Sequence, residues 1–346
     1  TSLAFVVSQM SLERVGPAME AVAQPLVVRL QQALDAGSGA EAASLQLDQL
    51  CALLSKTSPM PAPTNPDQQD ARHPSVVLLE QIWPLLDTCF ARYGGDIPCM
   101  ERLCRIFKHT LRNVLDSPFK PNVLPIGERV VPQATGWYEQ QPLSCFIYLC
   151  NSCIRSYFDV VELQPVFATA VRRITQRTFQ LLSASQSAMV DYPDVVDDFF
   201  QLFSSTLARI PHIIEPEQLN TIGQCGCAGI HLQHREANRS VVLFWEQLAT
   251  AAAGRSRPVA DPVRATLSAT LAAYGKPLVQ AVVLGLAGKL PDERARLLSP
   301  ILRILISVDP QLARQWIECA LQSLPAGAHA DSATLIAALF SSEAQN

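Results

Sequence analysis

Apolar residues recur at spacings of three and four along almost the whole chain, in segments of about fifteen to twenty residues closed by proline, glycine or aspartate-rich turns. That period fits the turn of an α-helix and not a β-strand, where apolar residues alternate. It predicts helix after helix: near 11–34, where Pro17 and Pro25 threaten breaks, then 41–55, 75–93, 97–115, 122–134, 142–158, 163–184, 193–210, 216–232, 235–253, 262–274, 276–289, 292–307, 310–324 and 331–343. Pro74, Pro193, Pro216, Pro262, Pro291 and Pro310 sit near first turns, where a missing N–H costs nothing. With 15 Gly and 25 Pro among 346 residues and abundant Ala and Leu, the composition suits punctuated helices and opposes an all-β fold.

Pairs of these segments begin near 75, 122, 163 and 216, a period of about 40–50 residues that matches HEAT-type helical hairpins. A hairpin of this kind buries its apolar face only against its neighbours, so the expected fold is all-α, a HEAT-repeat superhelical solenoid of stacked antiparallel pairs over 1–346 as one domain. One connector departs from the pattern: 57–73 is proline-rich and polar without apolar period, and reads as a flexible loop. Shorter breaks fall at 185–192 and 253–260. The start at Thr1, with no initiator Met and no leader-like segment, reads as a piece of something longer. The apolar stretches, Val279–Ala287 included, look interrupted before the ~18 residues a membrane span needs, so a soluble chain is expected.

The 27 basic and 31 acidic side chains give a net charge of −4, so no global field draws the chain to nucleic acid or anionic lipid, and an acidic partner must meet a local basic patch. Ten cysteines are too few for a disulfide scaffold of this length and suit a reduced, nuclear or cytoplasmic compartment. Cys150-Asn-Ser-Cys153 lies in an apolar helical run with no second pair at zinc spacing, so it and Cys145 are expected in the core, as is Cys225-Gly-Cys227. Asn238-Arg-Ser240 is read as structural. Walker, dinucleotide, zincin and nucleophile-elbow motifs are all missing from the sequence, so neither an enzyme nor a cofactor is expected. His231 and His234 flank a helix break and read as capping residues, not metal ligands. Asp197 and Asp198 point about 100° apart on a helix, too divergent for a shared proton, and read as first-turn surface charge.

The informative segment is 97–115. At about 100° per residue, Leu103, Ile106, Phe107, Thr110, Leu111 and Val114 share one side while Arg102, Arg105, Lys108, His109 and Arg112 collect on the other. Glu101, one turn before Arg105, is the one carboxylate near in sequence. As the second helix of a hairpin, this segment is expected on the binding side of the repeat, where a row of guanidiniums suits phosphate or carboxylate.

Gln81-Ile-Trp-Pro-Leu-Leu86, Glu101-Arg102-Leu-Cys-Arg105, Ser144-Cys-Phe-Ile-Tyr-Leu149, Pro193-Asp-Val-Val-Asp-Asp-Phe-Phe200, His234-Arg-Glu-Ala-Asn-Arg-Ser-Val241 and Trp316-Ile-Glu-Cys-Ala-Leu-Gln-Ser-Leu-Pro325 keep their order over nearly the whole chain. Together they resemble the C-terminal part of the transportin-SR type of β-karyopherin, with the importin-13 type a near alternative. The resemblance implies a nuclear import receptor that carries serine/arginine-rich, often phosphorylated, splicing factors from cytoplasm to nucleus and releases them on Ran-GTP. It also implies that Arg102, Arg105 and Arg112 contact the cargo's RS segment and the RNA-recognition module beside it. Lys108 stands at a basic position with a different head group, and His109 is an accessory. Ran and nucleoporin contacts lie mainly in an N-terminal part of such receptors that this sequence does not contain, so the fragment alone is not expected to be a competent carrier. The alternatives are a HEAT scaffold unrelated to transport and an importin-13-like bidirectional receptor.

Overall fold

The computed structural model describes residues 2–10, 12–37, 39–57, 72–115, 123–255, 259–289, 292–324 and 332–340. Most of the predicted 57–73 loop, residues 58–71, lies outside them, as does Pro291. Among the described residues there is no strand. The helices are α1 (Ser2–Ser8), α2 (Leu12–Asp35), α3 (Ala40–Lys56), α4 (Pro74–Tyr93), α5 (Ile97–Leu115), α6 (Val123–Gln140), α7 (Ser144–Tyr157), α8 (Gln164–Leu182), α9 (Ala188–Asp191), α10 (Pro193–Arg209), α11 (Pro216–Gly229), α12 (Arg235–Ala252), α13 (Asp261–Leu284), α14 (Asp292–Val308), α15 (Pro310–Gln322) and α16 (Ser332–Leu339).

The chain divides into two compact units, Thr1–Ala170 and Val171–Asn346. In the first, α1, α3, α5 and α7 pack in sequence as one layer and α2, α4 and α6 form the other, each helix also touching the next along the chain. The second repeats the scheme, with α10, α12 and α14 in one layer and α11, α13 and α15 in the other. Packing of each helix on its first and second neighbours is the signature of stacked antiparallel pairs, and the fold is the all-α HEAT-repeat class.

Helix starts follow the predicted chemistry. Proline is the first residue of α4, α10, α11 and α15 and the second of α13. His73 caps α4, its Nδ1 accepting the Ser75 N–H at 3.1 Å, and Glu215 with Gln218 forms a capping box at α11.

Interior prolines and glycines mislead the sequence reading. Helix α2 runs unbroken through Pro17 and Pro25, and α6 continues six residues past the expected end at 134, burying Trp137 and Tyr138. The two helices expected over 262–274 and 276–289 are one α-helix, α13, through Gly275 and Pro277, followed by a π-turn at Gly285–Lys289. A proline inside a helix costs about 3 kcal/mol, but Leu271, Leu278, Val279 and Val282 are buried to either side, and breaking the helix would expose them. Gly275 is also the place where Trp316 of α15 lies against the helix: a Cβ there would stand 2.1 Å from the indole Cη2. The fused helix Asp261–Ala287 is long and apolar enough, by length and composition, to cross a membrane, against the expectation of interrupted stretches. It packs against α11, α12, α14 and α15, which accounts for its apolar face as core. Two short helices, α1 and α9, were not predicted; neither is long enough to display a period.

The cysteines at 145, 150 and 153 are buried as expected, whereas Cys225 and Cys227 are only partly covered. Asn238 is wholly buried and donates to Ile230 O at 2.7 Å, a structural role. His234 caps α12, and His231 Nε2 lies 2.7 Å from Ala281 O. Asp197 is not plain surface charge: its Oδ1 accepts from Ser240 Oγ of α12 at 2.5 Å and from Gln201 at 2.9 Å, joining α10 to α12.

Candidate functional site

Helix α5 is anchored before it is functional. Asp96 Oδ1 accepts the Cys99 N–H at 2.8 Å and caps the first turn. Its buried side carries Leu103, Ile106, Phe107, Thr110, Leu111 and Val114, as the period predicted, together with Cys104 and Asn113. Phe107 meets Trp83 of α4 edge-on, with centroids 5.0 Å apart, and Trp137 of α6 at 5.9 Å. Asn113 Nδ2 donates to Leu54 O of α3 at 2.8 Å and to Ser75 Oγ of α4 at 3.1 Å, and the Tyr157 hydroxyl of α7 donates to Leu111 O. Buried hydrogen bonds to three neighbouring helices fix the rotation of α5, and with it the direction of its polar face.

That face is flanked by α3 and α7. Arg105 is exposed and pairs with Glu101 Oε2 at 3.2 Å within its own helix. Arg112 is exposed, with Nη2 donating to Ser55 O at the end of α3 at 3.2 Å. Lys108 crosses to α7, where its ammonium donates to the Tyr148 hydroxyl and stands 4.6 Å above the ring centroid. Arg102 turns toward α3: Nη1 donates to Pro98 O at 2.8 Å and lies 3.5 Å from Ser44 Oγ, while Nε is 3.6 Å from Asp48 Oδ1. Arg155 of α7, seven residues beyond Tyr148, lies on the same side of its helix and is exposed.

His109 differs from its neighbours. It is half-buried, and its Nδ1 has no hydrogen-bond partner among the described residues. Burial first, then the nearby charges of Arg112, Lys108 and Arg105, push it down to about 4, so it is neutral at pH 7 and adds no charge to the row. The cationic charge resides on Arg102, Arg105, Lys108 and Arg112.

The structure therefore brings the five predicted residues to one helix and surrounds them with groups that local spacing does not reveal: Ser44, Asp48 and Ser55 from α3 and Tyr148 from α7. Asp48 is a second carboxylate beside the row. Its pairing spans 54 residues of sequence between Asp48 and Arg102, and no local period carries that information. Among the described residues no group of three His, Cys, Asp or Glu is placed to hold a metal ion. The Cys51 and Cys150 thiols are each pushed up to about 12 by burial, which keeps them protonated and unreactive. The arrangement suits reversible recognition of anions: fixed donors, exposed guanidiniums and an aromatic ring.

Comparison with known proteins agrees with this architecture. Residues 73–182, which span α4 to α8, match the family model described as the transportin-3/importin-13 fourth TPR domain. Transportin MOS14 of Arabidopsis thaliana is 24% identical over 263 residues, covering 73% of this chain and 26% of that protein. Importin-13 of Bos taurus is 26% identical over 267 residues, covering 76% of this chain and 25% of that protein, and importin-13 of Rattus norvegicus is 27% identical over 184 residues, 51% and 17% respectively. The chain thus spans about a quarter or less of the length of these relatives. A solved structure described as "Importin13 cytosolic state" superposes with a TM-score of 0.79 at 16% identity, over 97% of this chain and 38% of that one, a likeness of fold. These likenesses are to proteins named transportin and importin-13, and the family-model match covers the part of the chain that carries α5.

Proposed function

We propose that this chain is the cargo-binding part of a nuclear import receptor that carries serine/arginine-rich, often phosphorylated, splicing-factor proteins into the nucleus, with release driven by Ran-GTP. The observation that carries the reading is the row on α5: Arg105 and Arg112 are exposed on a helix whose rotation is fixed by buried contacts, with Lys108 and Arg102 on the same face. Guanidiniums in a fixed row match the repeated phosphates of a phosphorylated Ser/Arg segment, each taken bidentately. The relatives named as transportin and importin-13 support a transport role, and on this reading the receptor moves between cytoplasm and nucleus. Ran and nucleoporins are partners of the longer receptor. The function needs no metal, cofactor or catalytic group, and no direct contact with nucleic acid or membrane.

Replacing Arg102, Arg105 and Arg112 together by Ala tests the reading. Removing one guanidinium–phosphate hydrogen-bonded pair costs about 1.5–3 kcal/mol, so removing two weakens binding of a phosphorylated Ser/Arg peptide roughly a hundredfold or more. Helicity stays as in wild type and melting falls only modestly, because Arg105 and Arg112 are exposed charges worth ~0–1 kcal/mol each, while partly buried Arg102 also loses its hydrogen bond to Pro98 O. Unchanged peptide affinity in the triple variant would remove the row from cargo recognition. An importin-13-like bidirectional receptor is the second reading, favoured by the relatives of that name, and predicts binding that ignores phosphorylation.

A further inference from the structure

The four cations of the α5 row are not equivalent. Arg105 and Arg112 are exposed, the one paired with Glu101 and the other reaching Ser55 O, whereas Arg102 lies against α3, its side chain 31% exposed beside Asp48 at 58%. The contact is poorly made as a permanent ion pair. Asp48 Oδ1 lies 3.6 Å from Nε, beyond a good hydrogen bond, and the Nε–H is buried with no hydrogen-bond partner among the described residues. Nη1 is taken by Pro98 O, with Ser44 Oγ close by. A guanidinium binds an oxyanion best along a two-nitrogen edge, and here Asp48 stands near that edge without closing either bond. Its own exposure leaves it free to swing into solvent. The arrangement is that of a resting partner, displaced by an anion with more charge and more oxygens.

We propose that Asp48 is a specificity-determining residue of the α5 site: it competes for Arg102, so that a phosphoryl group, nearly doubly charged and with three acceptor oxygens, gains this fourth cation while a singly charged carboxylate does not. Asp48 thereby discriminates phosphorylated Ser/Arg segments from merely acidic ones. The inference rests on the reading that an anionic segment docks on α5, and it assigns the choice among such segments to a residue of a different helix.

The test is a double-mutant cycle read by fluorescence anisotropy on two labelled peptides of the same Ser/Arg sequence, one phosphorylated at the serines and one with Asp in their place. Asp48→Asn is expected to tighten binding of the Asp peptide about fivefold and of the phosphorylated peptide less, narrowing the difference between them. In an Arg102→Ala background, Asp48→Asn is expected to change neither by more than about twofold, because the competed group is gone. In the protein without peptide, Arg102 should also react faster with phenylglyoxal in Asp48→Asn, as followed by mass spectrometry of the helix. An equal gain in both backgrounds would make Asp48 part of the general field and overturn the inference; so would unchanged discrimination. Asp48→Ser, of different shape, repeats the test should the Asn variant not fold. An Arg105→Ala/Arg112→Ala protein separates the two levels. If it binds phosphorylated peptide like wild type, the docking reading fails and Asp48's role with it; if it loses binding while Asp48→Asn has no effect, only the role of Asp48 fails.

Discussion

Two glycine-to-alanine exchanges in helix interiors should change stability in opposite directions, and the structure supplies the reason. Gly136 lies in α6 and a Cβ there would meet nothing within 4 Å. Gly275 lies in α13, and a Cβ there would stand 2.1, 2.2 and 2.7 Å from Cη2, Cζ3 and Cζ2 of Trp316. Both exchanges gain the same intrinsic preference, about 0.8–1 kcal/mol for Ala over Gly in a helix. Gly136→Ala keeps that gain. Gly275→Ala must also move the indole by about 1.3 Å or more to reach ordinary contact, and overpacking of a filled site costs about 1–3 kcal/mol. An overlap this deep belongs at the upper end, because Trp316 is itself buried and has little room to give. The net expectation is stabilisation by roughly 0.5–1 kcal/mol at 136 and destabilisation by roughly 1–2 kcal/mol at 275. Urea unfolding followed by helical circular dichroism measures both, and Trp316→Leu in the Gly275→Ala background should recover part of the loss. Equal stabilisation by the two exchanges would show that Trp316 is not seated on α13 at this position.

Other outcomes follow from the charges and thiols. His73 is buried and pushed down to about 4 by that burial, and His109 likewise by burial and then by its cationic neighbours. Unfolded histidines titrate near 6.5, so between about pH 6.5 and 4 the unfolded chain holds more protons and stability falls as pH drops, by up to about 3 kcal/mol for His73 and less for the more exposed His109. His73→Asn, which retains a capping oxygen, should flatten that pH slope in denaturant titrations; an unchanged slope would clear His73 of the effect. Cys145, Cys150 and Cys153 should resist thiol reagents in the native protein and react after denaturation, and early labelling of Cys153 would contradict its packed position. Peptide binding to the α5 row should weaken several-fold between about 0.1 and 0.3 M salt, because exposed charges are screened over about 10 Å or less.

Much of this was legible locally. The α5 segment displayed both its faces, since a single period sorts core from cations, and the proline-led helix starts were written in the sequence. Helix ends were less legible. The end expected at 134 is passed by α6, with Trp137 and Tyr138 buried beyond it, and the break expected at 275 is overridden by the packing of α13. Propensity is worth about 1–3 kcal/mol per position, less than the burial of a few large side chains. The partners of the cationic row were not legible at all. Asp48 and Tyr148 reach it only because α3 and α7 stack on either side of α5, and that adjacency belongs to the tertiary fold.

The central claim is where an anionic cargo segment sits. A phosphorylated Ser/Arg peptide carrying a benzophenone photo-cross-linker, irradiated with the protein and mapped by mass spectrometry, measures that position directly. The account predicts adducts concentrated on residues 101–112 of α5 and on the turns of α3 and α7 around Asp48 and Tyr148, abolished in the Arg102, Arg105, Arg112 triple variant. Adducts confined to α10–α15, or an α5 pattern untouched by the triple substitution, would contradict it.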